Sequence, residues 1–180
     1  MQLKHRLGAA LAAASFIVAA TAAAEPIKVA RSVPYKDISV GTADVRQECD
    51  WNTQMIDYLV QYSRGTVVAT DENLDTAPGM ALKLVVVGIH TAGGGAFSGP
   101  KWVKIRGELL LNGKVINNFQ KTSHSMDLFR GSCSVANKMG KQLSGWLAKW
   151  LRKPANLVDD EGIADDKGDT AADKPDAAKQ

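Results

Sequence analysis

The chain has 180 residues, with 22 Lys and Arg against 19 Asp and Glu, 45% hydrophobic and 6% aromatic side chains, and two Cys. Those proportions suit one globular domain of ordinary polarity and exclude a collagen-like, polytopic membrane or wholly disordered chain. The net charge of +3 hides a division near residue 156: residues 25–156 carry 17 basic and 11 acidic side chains, and residues 157–180 carry 3 and 8.

Residues 1–24 have the pattern of a secretory signal peptide. Lys4 and Arg6 supply the positive start, Leu7 to Ala20 the apolar run, and Ala22-Ala23-Ala24 the small-residue cleavage site before Glu25. The apolar run is shorter than the ~20 residues that a spanning helix needs, so cleavage is expected to leave no transmembrane segment. A lipoprotein would carry a cysteine directly after that run, whereas the first one here is Cys49. The expected location is periplasmic or secreted.

Ile27, Val29 and Val33 alternate with Lys28, Ala30 and Ser32, which predicts a half-buried strand ending at Pro34. The period then changes. Trp51, Met55, Tyr58, Leu59 and Tyr62 share a helical face between Asp50, a capping residue type, and Gly65, a terminator. Thr66 to Thr70 is a short β-branched strand. After Pro78-Gly79, the run Leu82 to Ile89 is apolar on both faces apart from Lys83 and Gly88, as expected of a central strand.

Lys101 to Leu111 and Lys114 to Thr122 flank Asn112-Gly113, the pair that best tolerates positive φ in a tight turn, so they predict a hairpin. A strict two-residue turn sets Leu111 against Lys114 and Leu109 against Ile116. That pairing mixes polar and apolar partners on one face, which a bulge or a longer loop would correct, so the register stays open. A second helix starts near Ser132 to Ser134, carries Val135, Met139, Leu143, Trp146, Leu147, Trp150 and Leu151, and stops before Pro154. The tail from 157 to 180 has too few large apolar residues to order itself and is expected to be disordered. Its acidity serves solubility or competes with anionic partners for the basic body.

The order β-α-β-β-β-β-α predicts an α+β fold over 25–156: a two-layer sandwich, with a mostly antiparallel sheet carrying two amphipathic helices on one face. In an exported chain, Cys49 and Cys133, near the starts of the two helices, are expected to pair as a disulfide. The competing reading makes Cys133 a helix-terminal thiolate with His90 or His124 as its base.

Asp71-Glu72-Asn73-Leu74-Asp75 starts like a calcium loop. It fails at position six, where Thr76 replaces Gly, and at position twelve, where Leu82 replaces Glu, so a solvated loop is expected. Gly93-Gly94-Gly95 through Gly99 is interrupted by Pro100 before Lys101 and makes no phosphate loop. No catalytic residue, metal site or cofactor is predicted. The positive signal is basic and aromatic: Trp102, Lys104 and Arg106 alternate on one strand face, while Lys138, Lys141, Lys149, Arg152 and Lys153 surround Trp146 and Trp150. Trp102, Lys104, Arg106, Lys149 and Arg152 form the candidate interaction surface, fit for an envelope protein or an anionic glycan or lipid surface. Nucleic acid is not the expected partner, and Trp146 and Trp150 also suit a core role.

The leader, strand and helix, long apolar strand, Asn112-Gly113 hairpin and closing Ala136 to Leu151 helix together resemble small envelope proteins of Gram-negative bacteria. The resemblance covers residues 27–152 in order of elements. Many of that group look like lipoproteins, from which this chain departs by lacking the acceptor cysteine. The resemblance implies a periplasmic accessory role, here a non-enzymatic binding or assembly module acting on an envelope partner. The alternatives are a small enzyme whose site is assembled from distant residues, and a secreted effector.

Overall fold

The computed structural model describes residues 25–91, 99–127 and 130–153. The expected leader at 1–24, the glycines Gly93-Gly94-Gly95 and the acidic tail at 157–180 lie outside the described residues. The elements are β1 (Ile27–Ala30), α1 (Ala43–Glu48), α2 (Trp51–Ser63), β2 (Val67–Thr70), β3 (Met80–His90), β4 (Lys101–Leu111), β5 (Lys114–Ser125) and α3 (Ser132–Trp150). The result is the expected α+β sandwich, with one short helix added.

β1 buries Ile27 and Val29 on the helix side but stops at Ala30, four residues short of the expected end at Pro34. The cause is α2. Val33 donates its N–H to the Asn52 carbonyl and accepts from Asn52 Nδ2 at 3.0 Å, which draws residues 31–33 off the sheet. The chain rejoins β3 at Tyr35, where Val86 donates to the Pro34 carbonyl and Lys36 donates to the Val86 carbonyl. α1 was not expected. It buries Val45 alone, too little apolar surface for a periodicity, and is held at its start by Thr42 Oγ1.

The buried face of α2 is Trp51, Met55, Ile56, Leu59 and Ser63. It is rotated from the expected one, because Ile56 points inward while Tyr58 and Tyr62 are half-exposed and stack on each other at 6.1 Å. Asp50 does not cap with its side chain, which instead accepts from Gln54 Nε2 at 2.6 Å. The left-handed turn that ends α2 falls on Arg64 (φ 55°) as well as on Gly65 (φ 88°).

The sheet order is β2-β1-β3-β4-β5. β1 runs parallel to both neighbours, and the much longer β3–β4 and β4–β5 ladders are antiparallel, so the sheet is mixed but mostly antiparallel. The apolar run became the middle strand, as its composition implied. At the hairpin tip Asn112 (φ 51°) and Gly113 (φ 79°) make the left-handed two-residue turn. Leu111 faces Lys114 and Leu110 faces Val115; then a bulge at Ile116 sets Leu109 against Asn117. This bulge brings Phe119 opposite Gly107, where its ring covers the bare backbone on the helix side.

α2 and α3 cover one face of the sheet. They run in the same sense and approach closely at Gly140, where an added Cβ would stand 3.3 Å from the Trp51 ring. One turn on, Ser144 Oγ lies 2.6 Å from the Met55 carbonyl and 2.9 Å from its own Gly140 carbonyl, sharing its proton between them. Cys49 and Cys133 form the expected disulfide, with Cα atoms 5.1 Å apart, stapling the start of α2 to the start of α3. Lys101 is buried against this layer and donates from Nζ to the Arg130 carbonyl, while Ser132 Oγ donates to the Thr91 carbonyl. The ends of β3 and β4 are thereby tied to the start of α3.

A second tie is pH-dependent. Lys138 Nζ lies 2.7 Å from Asp127 Oδ2 and Ser125 Oγ donates to the same oxygen, holding the Asp127 carboxyl below the ordinary carboxylate range. The stability that Asp127 contributes is therefore present above its unfolded-state pKa and is lost as pH falls through the lower, folded value. Acid titration of folding should show a shallower acid limb for Asp127→Asn than for wild type. The difference should be small, because the pair is exposed and salt-screened.

Candidate functional site

On β4 the odd-numbered residues Lys101 to Leu109 are buried towards the helices, so Trp102, Lys104, Arg106, Glu108 and Leu110 line the opposite, outer face. Register places partners on the same face: Lys83 and Val85 on β3 beside Glu108 and Arg106, and Gln120, Thr122 and His124 on β5 beside Arg106, Lys104 and Trp102. The two histidines among the described residues thus flank Trp102 in one cross-strand row, His90–Trp102–His124. The His90 ring is 6.4 Å from the indole and within 23° of its plane.

One end of this outer face is covered and electrically matched. Leu74 is buried over Ala81 and Leu110, with Ala30 against them. The loop that carries Leu74 is the one that began like a calcium site, and it is not merely solvated. Asp71 pairs with Arg31 at 2.8 Å, Glu72 with Lys28 at 2.8 Å and Asp75 with Lys83 at 2.7 Å. The same loop is pinned to the hairpin tip, because Asn112 donates to the Gly79 carbonyl and Gly79 donates to Asn112 Oδ1, each at 2.9 Å. Its three carboxylates therefore neutralise the basic residues of β1, of the segment after it and of β3.

The other end lies beyond that clasp. Among the described residues the ion pairs engage Lys28, Arg31, Lys83 and Lys138; Lys104 and Arg106 are in none, and Arg106 reaches only Gln120 Oε1 at 3.5 Å. Trp102 is half-buried beside them. The edge of its ring abuts Gly88: a Cβ there would stand 2.6 Å from Cζ3 and 2.9 Å from Cη2 of the indole. Gly88 reaches that position through a bulge, since the register shifts between Val86 and Gly88 and sets Gly88 opposite Lys104. Without the extra residue, Val87 would occupy the place and lift the ring. Sequence reasoning found the Trp102, Lys104, Arg106 alternation but missed Gly88, the histidine row and the acidic clasp.

The candidate surface is divided. Lys149 and Arg152 are exposed at the end of α3, in the helical layer, and the fold does not bring them to Trp102, Lys104 and Arg106 on the far side of the sheet. Trp146 and Trp150 are half-buried, packing on Phe119 with ring centroids at 5.1 and 4.9 Å, and Lys121 sits 5.6 Å above Trp146. They are pillars of the helix–sheet contact. The thiolate reading of Cys133 is overturned because its sulfur is bonded to Cys49, with both histidines on the other side of the sheet. Beside the bridge a shallow cleft of about 310 Å³ is lined by Asp44 and Glu48 of α1 and by Ser132 and Ser134 of α3. Two carboxylates face two hydroxyls there, without a nucleophilic sulfur.

No family model matches the chain, and no curated protein does. Among solved structures it is similar to a DUF330 protein of Xanthomonas campestris, at 11% identity and a TM-score of 0.48, covering 75% of this chain and 87% of that one. It is also similar to the PelC dodecamer of Paraburkholderia phytofirmans, at 17% identity and a TM-score of 0.41, covering 68% of this chain and 87% of that one. Both source organisms are Gram-negative bacteria. At these scores the likeness adds nothing to the site, which stands on this chain's own residues.

Proposed function

We propose that the chain is a periplasmic or secreted, non-enzymatic module that binds an anionic envelope partner through the outer face of its sheet at β4. One observation carries this reading. The acidic loop neutralises Lys28, Arg31 and Lys83, whereas Lys104 and Arg106, next to a half-buried indole, are in no ion pair among the described residues. Cations outside any ion pair on one face of a sheet are the footprint of a surface that meets negative charge. The disulfide supports an oxidising compartment, where envelope polymers are the abundant polyanions. Lys149 and Arg152 are not needed for it.

Co-sedimentation of the purified protein with washed Gram-negative envelopes tests the reading. Wild type and Lys149→Ala should sediment alike and be released by salt, whereas Trp102→Ala and Lys104→Ala should each leave several-fold more protein in the supernatant. Equal sedimentation of all four proteins would remove the β4 face as the binding surface.

A further inference from the structure

We infer that the acidic segment 157–180 folds back onto the solvent face of α3 and occupies the basic stripe of Lys141, Lys149 and Arg152, so that these cations serve the chain's own tail and not an external partner. The charges are sorted by element. Residues 25–156 hold 11 acidic side chains, yet none lies on α3 or on β5 beneath it, whose cations are Lys114, Lys121, Lys138, Lys141 and Lys149. α3 buries Val135, Met139, Leu143 and Leu147. On its opposite face Lys138, Lys141, Gly145, Lys149 and Arg152 follow at steps of three and four residues, the spacing of a single helical stripe.

Lys138 is taken by Asp127. Lys141 rests 5.3 Å above the Tyr58 ring, and neither it nor Lys149 nor Arg152 is in an ion pair among the described residues. All three are exposed. Between them, a Cβ added at Gly145 would meet nothing within 4 Å, so the middle of the stripe is bare backbone over which a second chain segment can pass.

Position and length name the occupant. The described residues end at Lys153, where Arg152 and Lys153 donate to the Lys149 and Trp150 carbonyls and so keep the exit of the chain beside the stripe. The first acidic group, Asp159-Asp160-Glu161, starts six residues past Lys153, a reach of at most ~20 Å, and the second, Asp165-Asp166, starts six residues further. Along α3, Lys141 stands about 16 Å from Arg152 by helical rise. The first group therefore suits Arg152 and Lys149, and the second suits Lys141. Lys104 and Arg106 lie on the far side of the sheet, which the segment reaches only by leaving the helical layer and rounding the sheet. Tethering also gives the tail an effective concentration of about millimolar, which a free polyanion has to exceed to displace it. The inference does not depend on which partner the β4 face binds, and it accounts for the expected indifference of envelope binding to Lys149→Ala.

The experiment uses the full chain, mixed in equal parts as isotopically light and heavy protein and joined by a zero-length carbodiimide, which links a carboxylate to a lysine only in contact. Peptide mass spectrometry should find the acidic residues between 159 and 166 linked to Lys149 and Lys141 several-fold more often than to Lys28 or Lys104. The links should lie within light or heavy molecules, and they should fall several-fold at high salt. Polyglutamate binding supplies a second readout. Neutralising the tail by Asp159→Asn, Asp160→Asn, Glu161→Gln, Asp165→Asn and Asp166→Asn should tighten it about fivefold, because the tethered competitor is gone. Adding Lys149→Ala and Arg152→Ala should cancel that gain, whereas Lys104→Ala should lower binding by the same factor with either tail.

A gain cancelled by Lys104→Ala and not by the α3 pair would put the tail on the outer face of the sheet and overturn the stripe as its seat. Links mainly between light and heavy molecules would give the stripe to the tail of a second copy and overturn the intramolecular contact. Links spread evenly over the lysines, or no gain on neutralising the tail, would reduce the segment to a solubilising appendage and overturn the contact altogether. The envelope reading of the β4 face, tested by sedimentation, survives each of these results.

Discussion

Opening the Cys49–Cys133 bridge is expected to lower the stability of the native chain by about 2–4 kcal/mol, read from denaturant unfolding of the oxidised and reduced protein. The two residues are 84 apart in sequence. The chain-entropy model sets a ceiling of ~4.5 kcal/mol for a loop of that length, through restriction of the unfolded chain. The native ends that the bridge joins are the starts of α2 and α3, which also meet at Trp51, Gly140 and Ser144. Because packing already holds those helices, reduction should leave the fold intact at room temperature and act chiefly through the unfolded state. Cys133 is an exposed residue beside the cleft, so a small thiol reaches it without global unfolding, whereas Cys49 is buried. The proposed binding face lies on the far side of the sheet, so envelope binding per folded molecule should be the same before and after reduction. A stability change below ~1 kcal/mol would show that the helix contacts, and not the bridge, restrain these ends.

Local patterns in the sequence pointed to most of the elements. Asn112-Gly113 needs nothing beyond its own φ angles to announce a hairpin, and Trp51 to Ser63 announces a helix by its period. Cysteines near two helix starts, with an export pattern before them, indicated their pairing. What failed to show was whatever depends on contacts between distant segments. Ile27–Ala30 carries no mark that places it between β2 and β3 and parallel to both; that follows from crossovers longer than any sequence window. Its early end depends on Asn52, which holds Val33 from nineteen residues further along the chain.

The site divides in the same way. Alternation was enough to place Trp102, Lys104 and Arg106 on one face, but not to say whether helices cover that face. Helical spacing grouped Lys149 and Arg152 with tryptophans, yet the layer they belong to is set by Phe119 and the sheet beneath. Gly88 as a seat for the indole requires the β3 bulge, a shift of one residue that no pattern within either strand encodes. The acidic loop looked like a poor metal site because its true partners, Arg31, Lys28 and Lys83, come from the segment at β1 and from β3. Three carboxylates in five residues signal a need for positive charge; whether a cation or the protein's own lysines supply it is decided by the tertiary fold.

Truncation of Trp51 should have the largest single-residue effect, with Trp51→Ala lowering stability by about 3–5 kcal/mol in thermal or denaturant unfolding. Its side chain is fully buried where α2 meets α3, edge-on to Tyr35 with ring centroids 6.3 Å apart, and Nε1–H donates to Tyr35 Oη at 2.8 Å. Burial pushes the Tyr35 hydroxyl pKa up, partly offset by that hydrogen bond, and the hydroxyl itself donates to the Val45 carbonyl. Loss of the indole therefore empties the helix crossing and removes a donor from a half-buried phenol, which loosens the attachment of α1 as well. Trp51→Phe separates the two contributions. It keeps most of the apolar volume and should cost markedly less than Trp51→Ala, with a remainder of about 1–3 kcal/mol from the lost hydrogen bond and the smaller ring. Gly140→Leu approaches the same contact from the other helix. Even a methyl group at 140 would lie 3.3 Å from the Trp51 ring and 3.4 Å from Met55 Cβ, so the larger side chain must push α3 outward despite its better helix propensity. In the double variant, Trp51→Ala with Gly140→Leu, the added leucine can enter the vacated space, and the summed losses should be visibly non-additive. Strict additivity would mean that α2 and α3 do not meet through this pair of residues.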